Sequence, residues 1–486
     1  MCNQINLLSH MLNPDPQQSN QAAEAQAKIQ VLIENAQRAM QEFENTDQQR
    51  IDDAVTALAW SIYKPERAEE LAELAVKDTG LGNVPSKIIK NTRKTFGTLR
   101  DLSRVKTTGV IEEVPEKGLV KYGKPVGVVA AVCPSTNPAA TPVNKAMMAL
   151  KGGNAVVIAP SPAGYTTTAL TVDYMRAELK RAGHPEDLVQ ILPAPVSKEL
   201  TQALMEASDL VVCTGSQNNV KRAYSSGTVA IGVGAGNVPV IIDSSARLQE
   251  AAEKICASKI FDNATSCSSE NAVVILDDVY EDAIAALVAA GAYRTTSEEK
   301  QRIVDTLWVE GKLNRHVIAK DADVLAKAAD LDESAMQAKY FLVEHDKIGN
   351  DQPLSDEKLS LVLTVYRASD FQDAKNKVAD ILDVKGVGHS CGIHTENLEH
   401  AHELAEDLKV VRVLVNQAHT FANGGGFDSG LPFTLSMGCG TWAGNSISEN
   451  LNYRNFINIT HVVTTIPEDK PSEEELFGDY WNKYGK

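Results

Sequence analysis

One cysteine stands among small polar residues near the middle of the chain, where the sequence reads Ala-Thr-Ser-Cys-Ser-Ser-Glu around Cys267. An apolar run typical of a buried strand follows at residues 272–276. A cysteine thiolate is a good nucleophile for carbonyl carbon. The setting of Cys267 therefore favours a nucleophile over a core thiol.

The other six cysteines give no sign of a disulfide framework or a metal centre. Cys133 and Cys213 end apolar runs, where a buried thiol acts as a small hydrophobic group. The seven cysteines form an odd set without a Cys-x-x-Cys pair, and neither the histidines nor the acids fall into metal-ligand spacing. We therefore expect no disulfide and no metal.

A glycine run, Gly-Val-Gly-Ala-Gly at residues 232–236, resembles the signature of dinucleotide-binding folds. That signature follows a strand and opens a helix. Here the glycines lead through Asn237 into an apolar run at residues 238–242, which is typical of a strand. We interpret the run as backbone that another group approaches closely.

The elements that must position these residues begin with helices. Residues 1–20 are polar and contain prolines, so we expect a flexible arm. Thr46 with Gln49 resembles a capping box, and Pro65 suits the start of a further helix. An apolar helical stripe lies between the arm and this capping box, at Ile29, Leu32, Ile33, Ala36, Met40 and Phe43.

Two series of apolar runs alternating with helical patterns follow, a rhythm that predicts parallel sheets in an α/β protein. A chain of 486 residues suits two such domains. The first series has runs at 126–132, 155–159, 189–192, 210–213 and 238–242. The second has a helix at 246–260 and runs at 272–276, 361–366, 387–393 and 412–415.

A hairpin is predicted near residues 107–122, with a turn at Pro115-Glu116-Lys117-Gly118. A compact α/β domain does not need this hairpin, so we interpret it as an arm that reaches another subunit. The predicted organisation is two doubly wound α/β domains plus a small β arm. The cofactor domain covers 21–106 and 124–232, the arm and tail 107–123 and 451–486, and the catalytic domain 233–450.

Composition excludes several classes of protein. The formal net charge of −17 disfavours binding to nucleic acid or to an anionic membrane. No apolar run approaches the ~20 residues that span a bilayer, and the N-terminus lacks the pattern of a signal peptide. We expect a cytoplasmic protein.

Five segments, in order and spacing, resemble the aldehyde dehydrogenase superfamily. They are Asn137 in Cys-Pro-Ser-Thr-Asn-Pro, Thr214-Gly215-Ser216, the glycine run, Cys267 in its loop, and Glu357-Lys358-Leu359-Ser360. Two more segments, 386–395 and 435–450, are similar to the branch that makes acyl-coenzyme A. Over its whole length the chain is most similar to acylating enzymes that act on sulfoacetaldehyde.

The resemblance implies a reaction for these residues. Cys267 attacks the aldehyde, and the side-chain amide of Asn137 with the backbone N–H of Cys267 stabilises the oxyanion. In the hydrolytic branch a glutamate before the paired glycines activates water, and the matching position here is Val233. Valine accepts no proton, so coenzyme A is the expected acceptor of the acyl group.

The resemblance also implies a nicotinamide cofactor, with NAD and NADP both open. Hydrolytic relatives commonly carry a lysine and often a glutamate after the second strand, whereas this chain has Ala159-Pro160-Ser161-Pro162, which does not repel a 2′-phosphate. The expected cofactor residues are Pro134, Ser135, Thr136, Pro160, Ser161, Thr214, Gly215, Ser216, Val233, Gly234, Glu357 and Leu359.

Three side chains have two interpretations each. His389 either positions or deprotonates the thiol of coenzyme A, or is a hydrogen-bonded histidine between strands. Glu357 either accepts hydrogen bonds from the nicotinamide ribose, as the resemblance implies, or is a surface acid. His419 either meets an anionic substrate beside Thr420, or is a solvated loop residue while an arginine or lysine of unknown position meets the anion.

The predicted function is a coenzyme A-acylating aldehyde dehydrogenase for a small anionic aldehyde, acting as a homodimer or homotetramer. Acylating succinate-semialdehyde and short-chain aldehyde dehydrogenases are the alternatives within the branch. A hydrolytic aldehyde dehydrogenase, a reductase of acyl phosphates and a non-catalytic relative are the alternatives outside it.

Overall fold

A computed structural model describes residues 16–44 and 46–486. The helices are α1 Pro16–Phe43, α2 Gln48–Tyr63, α3 Pro65–Thr79, α4 Val84–Ile89, α5 Thr95–Ser103, α6 Ala140–Lys151, α7 Tyr165–Arg181, α8 Lys198–Ala207, α9 Gln217–Tyr224, α10 Leu248–Ile260, α11 Tyr280–Ala289, α12 Ser297–Leu307, α13 Ala322–Ala328, α14 Phe371–Val384, α15 Leu398–Asp407, α16 His419–Ala422 and α17 Glu473–Tyr484. A π-helical turn, Lys90–Lys94, joins α4 to α5.

The strands are β1 Gly109–Val114, β2 Leu119–Pro125, β3 Val128–Val132, β4 Ala155–Ala159, β5 Val189–Ile191, β6 Leu210–Cys213, β7 Ala230–Gly232, β8 Val238–Ile242, β9 Glu270–Leu276, β10 Ala292–Arg294, β11 Trp308–Val309, β12 Lys312–Leu313, β13 Tyr340–Glu344, β14 Val362–Ala368, β15 Cys391–His394, β16 Val413–Val415 and β17 Ile457–Val463.

Five parallel strands form the first sheet, in the order β5-β4-β3-β6-β7. The sequence of β3, Val-Val-Ala-Ala-Val, is buried along its whole length, as expected for a strand covered on both faces. The strand order reverses between β3 and β6. Ligands of such sheets bind in the crevice at the carboxyl ends of the strands flanking this reversal.

Seven parallel strands form the second sheet, in the order β10-β13-β14-β9-β8-β15-β16. Every residue of the central strand β9 is buried, and Cys267 lies three residues before that strand begins. The predicted boundary at residue 233 falls between β7 of the first sheet and β8 of the second. The predicted α/β fold with two parallel sheets is confirmed.

A three-stranded antiparallel sheet, β1-β2-β17, contains the predicted hairpin. Gly118 closes the turn with a φ of +60°, which glycine adopts without steric cost. Strand β17 pairs with β2 of the same chain, from Ile457 opposite Pro125 to Val463 opposite Leu119. Contact of this sheet with another subunit stays a prediction.

Four local predictions differ from the structure. The run at 238–242, predicted in the first series, forms β8 of the second sheet, where it pairs with β9 and β15. Helix α1 begins at Pro16, since proline is tolerated in a first turn, so residues 16–20 are helical rather than flexible, and the rest of the predicted arm lies outside the described residues. The cap of α2 is Asp47, not Thr46, because its carboxylate accepts from the N–H of Arg50. Strands β7, β10 and β13 of the two parallel sheets were not predicted, although β13 is as long as β4.

Within residues 16–44 and 46–486, no helix is both long enough and apolar enough to cross a bilayer.

Candidate active site

The loop that presents Cys267 begins with a strained turn. Asp262, Asn263 and Ala264 have φ values of 50°, 52° and 59°, all in the left-handed region. For residues other than glycine this conformation costs roughly 1–2 kcal/mol each. The turn therefore depends on contacts from elsewhere in the chain.

A buried cluster of charges supplies those contacts. The carboxylate of Asp262 accepts hydrogen bonds from Nζ of Lys90 at 2.6 Å and from Nζ of Lys87 at 3.1 Å. Burial raises the pKa of Asp262, but the two ammonium groups outweigh it and hold that pKa below its usual value. Lys87 also donates to the carbonyl of Thr136 at 3.0 Å. One cluster thus ties the Cys267 loop to the loop after β3.

Cys267 itself is a half-buried free thiol. Its carbonyl oxygen lies against Gly236, where an added Cβ would come within 1.9 Å, so the glycine run makes the close approach that the sequence predicts. Burial, followed by the negative charges of Glu357 and Cys439, raises the pKa of Cys267 to about 12. The thiol is therefore protonated at neutral pH until a base removes its proton.

The two hydrogen-bond donors expected to stabilise the oxyanion are free of partners among the described residues. Asn137 follows β3 at the reversal of the first sheet, and its half-buried side-chain amide makes no hydrogen bond to any described residue. The backbone N–H of Cys267 also lacks an acceptor within the described chain. Such unused donors suit an oxyanion that forms only during a reaction.

The crevice of the first sheet is lined by most of the predicted cofactor residues. Thr214 and Ser216 follow β6, and the Ser216 hydroxyl caps α9 by accepting from the N–H of Asn219 at 3.3 Å. A Cβ on Gly215 would meet only the Cα of Pro134, 4.0 Å away, so open space separates the two loops. The other predicted residues of this edge are Ser135 and Thr136 after β3, and Pro160 and Ser161 after β4.

Free N–H groups at the start of α9 and the open space beside Gly215 fit the diphosphate of a dinucleotide. The segment from Ala159 to Pro162 carries no carboxylate. These residues therefore fit either NAD or NADP.

The glycine run crosses from the first sheet to the second beneath Cys267. Val233 is buried, and its N–H donates to the carbonyl of Cys213 at 3.2 Å. The N–H of Gly234 donates to Oδ1 of Asn445 at 2.9 Å. Valine has no group that accepts a proton, so this position offers no base to activate water.

Glu357 is a half-buried acid, not a fully solvated one. Oε2 of Glu357 lies 3.6 Å from Nζ of Lys385. Burial raises the pKa of Glu357 to about 7 in spite of this ammonium group. Leu359, two residues later, has a φ of +45°, so the backbone turns sharply beside the acid.

His389 and His419 form a buried chain through Ser390. Nδ1 of His389 lies 2.7 Å from the Ser390 hydroxyl, which lies 2.9 Å from Nε2 of His419. Burial and the Arg412 guanidinium lower the pKa of both histidines, that of His419 to about 3. Both rings are therefore neutral, and Nε2 of His389 has no hydrogen-bond partner among the described residues.

This result corrects the interpretation of His419. It is neither a solvated loop residue, being 1% exposed, nor a cation that could meet an anionic substrate. Thr420 is buried as well, and its hydroxyl makes no hydrogen bond within the described chain. The positive charge for an anionic substrate must come from elsewhere.

Two neighbours of Cys267 were missed by the sequence analysis. The guanidinium of Arg412 lowers the pKa of Cys267 and donates to the carbonyls of His389 and Gly438 at 3.2 and 2.8 Å. Cys439 lies in the segment 435–450 that resembles the acylating branch, but its thiol was interpreted as structural. Its position in that motif was the available signal.

The chain is similar to known proteins over most of its length. The profile of the Aldehyde dehydrogenase family matches residues 10–336. The chain is 52% identical over 471 residues to "Sulfoacetaldehyde dehydrogenase (acylating)" of Cupriavidus necator, covering 97% of this chain and 95% of the relative. It is 38% identical to "Succinate-semialdehyde dehydrogenase (acetylating)" of Clostridium kluyveri, covering 93% and 99%.

Solved structures are similar over nearly the whole chain. An acetylating aldehyde dehydrogenase from Geobacillus thermoglucosidasius superposes with a TM-score of 0.88 at 33% identity, covering 93% of this chain and 99% of that one. A propionaldehyde dehydrogenase from Rhodopseudomonas palustris, with bound CoA and an acylated cysteine, gives a TM-score of 0.80 at 25% identity, covering 90% and 97%.

Proposed function

Since this chain belongs to the aldehyde dehydrogenase family, we propose that it oxidises a small anionic aldehyde to an acyl-coenzyme A with NAD or NADP. Sulfoacetaldehyde is the first choice, because the relative from Cupriavidus necator bears that activity in its name. The observation that carries the proposal is local: Cys267 lies over a glycine run whose predicted base position is the buried Val233.

The proposed first half-reaction uses the free donors of the site. The Cys267 thiolate forms a bond to the carbonyl carbon, and the oxyanion accepts hydrogen bonds from the Asn137 amide and the Cys267 N–H. Collapse of this adduct expels the aldehyde hydrogen as hydride and leaves a thioester on Cys267. The nicotinamide, when bound, supplies the acceptor for that hydride.

The proposed second half-reaction transfers the acyl group. The sulfur of coenzyme A attacks the thioester carbon, and Cys267 leaves as a thiolate. His389 is the candidate to position the thiol or take its proton, because its Nε2 is unused. Its lowered pKa makes it a weak base, which favours positioning. The position of Val233 carries no carboxylate to activate water. Hydrolysis of the thioester therefore competes poorly with transfer to coenzyme A.

The proposed reaction gives each predicted domain a role. The region 21–106 with 124–232 would bind the cofactor, and 233–450 would carry the nucleophile. The apolar side chains Ile459, Val462 and Val463 are exposed on the outer strand β17, which supports a homodimer or homotetramer joined through this sheet.

An absorbance assay at 340 nm tests the proposal. Without coenzyme A and in thiol-free buffer, we expect at most a burst of reduced cofactor near one equivalent per site, because no base activates water. Coenzyme A should convert the burst to sustained turnover, and Val233→Glu should add slow hydrolysis. Sustained release of free acid by the unchanged protein would contradict the acylating assignment.

Succinate semialdehyde is the second candidate substrate, since the chain is also similar to the enzyme from Clostridium kluyveri. It too carries an anionic end. Comparison of kcat/KM for sulfoacetaldehyde, succinate semialdehyde, propanal and acetaldehyde separates the candidates. An uncharged aldehyde favoured by tenfold or more would exclude both anionic substrates.

A further inference from the structure

Buried polar atoms without a hydrogen-bond partner concentrate around Cys267. Among the described residues all such atoms except those of His184 and Arg302 belong to segments around the proposed active site. They include Nη1 of Arg93 and the hydroxyls of Thr141 and Thr420. Buried polar groups normally find partners, so a cluster of unused ones indicates a ligand site.

Arg93 is an arginine without an ion pair. No carboxylate of the described residues lies within 4.0 Å of its guanidinium; the exposed Asp428 only raises its pKa from a distance, and burial lowers that pKa more. The group lies 5.7, 5.6 and 5.3 Å from the ring centres of Phe421, Phe427 and Phe433. These rings hold the guanidinium in place while its Nη1 stays unsatisfied.

Lys94, the next residue, is buried and has no carboxylate within 4.0 Å among the described residues. Its Nζ donates to the carbonyl of Gly424 at 2.8 Å. Burial and the charges of Arg93 and Lys90 lower the pKa of Lys94 to about 7. Both residues lie in the π-helical turn, a geometry that occurs frequently at functional sites.

The segment that carries these cations reaches both flanks of Cys267. On one flank, Nζ of Lys90 donates to the hydroxyl of Thr265 at 3.1 Å. On the other, Asn423 donates to the hydroxyl of Ser268 at 2.9 Å and is followed by Gly424, the partner of Lys94. The unpaired cations therefore lie beside the nucleophile loop.

The same segment runs parallel to the loop and helix that contain Asn137. Lys87 meets the carbonyl of Thr136, and Thr98 meets the side chain of Asn144 at 2.8 Å. Thr141 lies between Thr136 and Asn144 in the chain, as Arg93 and Lys94 lie between Lys87 and Thr98, and its N–H donates to the carbonyl of Asn137 at 3.4 Å. We expect an aldehyde held at Asn137 to extend its far end between these two segments.

We infer that Arg93, with Lys94 and the Thr141 hydroxyl, binds the anionic end of the aldehyde, a sulfonate or carboxylate. This inference rests on the proposed function for the identity of the substrate. A sulfonate offers three acceptor oxygens, which suit the planar guanidinium, an ammonium and a hydroxyl. Lys87 and Lys90 are not part of the subsite because both are already paired with the carboxylate of Asp262.

Arg93→Met tests the subsite. For sulfoacetaldehyde we expect kcat/KM to fall by about 10- to 100-fold, mostly in KM, as for loss of a charge-assisted hydrogen bond. For propanal, which has no charge, the change should stay within about threefold, and this retained turnover also shows that the variant folds. Arg93→Lys should recover part of the loss.

Arg100→Met is the matched control. Arg100 lies 5.2 and 5.0 Å from the ring centres of Phe427 and Phe433, but its Nε donates to Asp101 at 2.9 Å. Arg100→Met should leave the ratio of kcat/KM for sulfoacetaldehyde to that for propanal unchanged. Equal losses for both aldehydes in Arg93→Met, or equal effects of the two arginine changes, would overturn the subsite.

A calorimetric titration with 2-hydroxyethanesulfonate separates this inference from the proposed function, since it requires no turnover. The unchanged protein should bind this probe, and Arg93→Met should weaken binding by at least about tenfold. Binding that is absent, or unaffected by the change, overturns the subsite. Weakened binding in a protein that does not oxidise sulfoacetaldehyde supports the subsite and contradicts only the proposed substrate.

Discussion

Two groups of charged residues approach Cys267 from different elements, and they have opposite signs. Glu357 comes from the loop before β14, is half-buried, and has a pKa raised to about 7. The segment from α4 to α5 brings Lys87, Lys90, Arg93 and Lys94, of which the first two share the buried Asp262. The acid raises the pKa of the thiol, whereas the basic segment holds the turn before it.

The basic group itself divides in two. Lys87 and Lys90 share the carboxylate of Asp262 and serve the structure, whereas Arg93 and Lys94 lack carboxylate partners among the described residues. A buried charge that is left unpaired costs several kcal/mol. Arg93 and Lys94 are therefore the cations available to a ligand. The predictions below change the nucleophile, the basic group or the acidic residue in turn.

The largest effect is expected from loss of the nucleophile, Cys267. Cys267→Ala removes the nucleophile and should abolish acylation under saturating cofactor and coenzyme A. Cys256→Ala is the matched control, because Cys256 lies within α10 and donates to the carbonyl of Ala290 at 3.2 Å. It should leave most of the turnover. Acylation retained by Cys267→Ala would contradict the mechanism.

Asp262→Asn removes the carboxylate that pairs with Lys87 and Lys90. It leaves two buried ammonium groups without a counter-charge, so the free energy of unfolding should fall by about 3–5 kcal/mol. Urea denaturation followed by circular dichroism measures the change. Asp428→Asn, at an exposed carboxylate, is the control and should alter stability by less than about 0.5 kcal/mol. Similar losses in both variants would show that the buried cluster does not support the fold.

Glu357→Gln changes the acidic side and should have the smallest effect. The negative charge of Glu357 is one cause of the raised pKa of Cys267, so its removal lowers that pKa and increases the thiolate fraction at a given pH. Because Glu357 ionises near pH 7, the increase should appear above pH 7 and vanish below it. Rates of alkylation by iodoacetamide between pH 6 and 9 measure it. Slower alkylation above pH 7 would reverse the sign.

Sequence patterns predicted the features that depend on the order of neighbouring residues in the chain. Apolar runs such as Leu210–Cys213 predicted strands directly, and the small polar residues around Cys267 predicted a loop before a strand. The glycine run was separated correctly from a dinucleotide signature because a strand follows it. Each of these features depends on neighbours in the chain.

The charges around the site could not be predicted in this way. Arg93 and Lys94 lie in a helical segment with other cations, which in sequence resembles a solvated face. Only packing against Phe421 and Gly424, more than three hundred residues later, buries them. His419 was misjudged for the same reason, since its burial comes from contact with Ser390 and not from its own polar segment.

The cluster around Asp262 also constrains how the protein folds. Lys87 and Asp262 are separated by 175 residues, and Ser268 and Asn423 by 155. Contacts between such distant parts of a chain form late, because the intervening loop must close first. During synthesis the Lys87–Asp262 contact therefore forms only after the first sheet has been made, and the Ser268–Asn423 contact only after the second has been made as well.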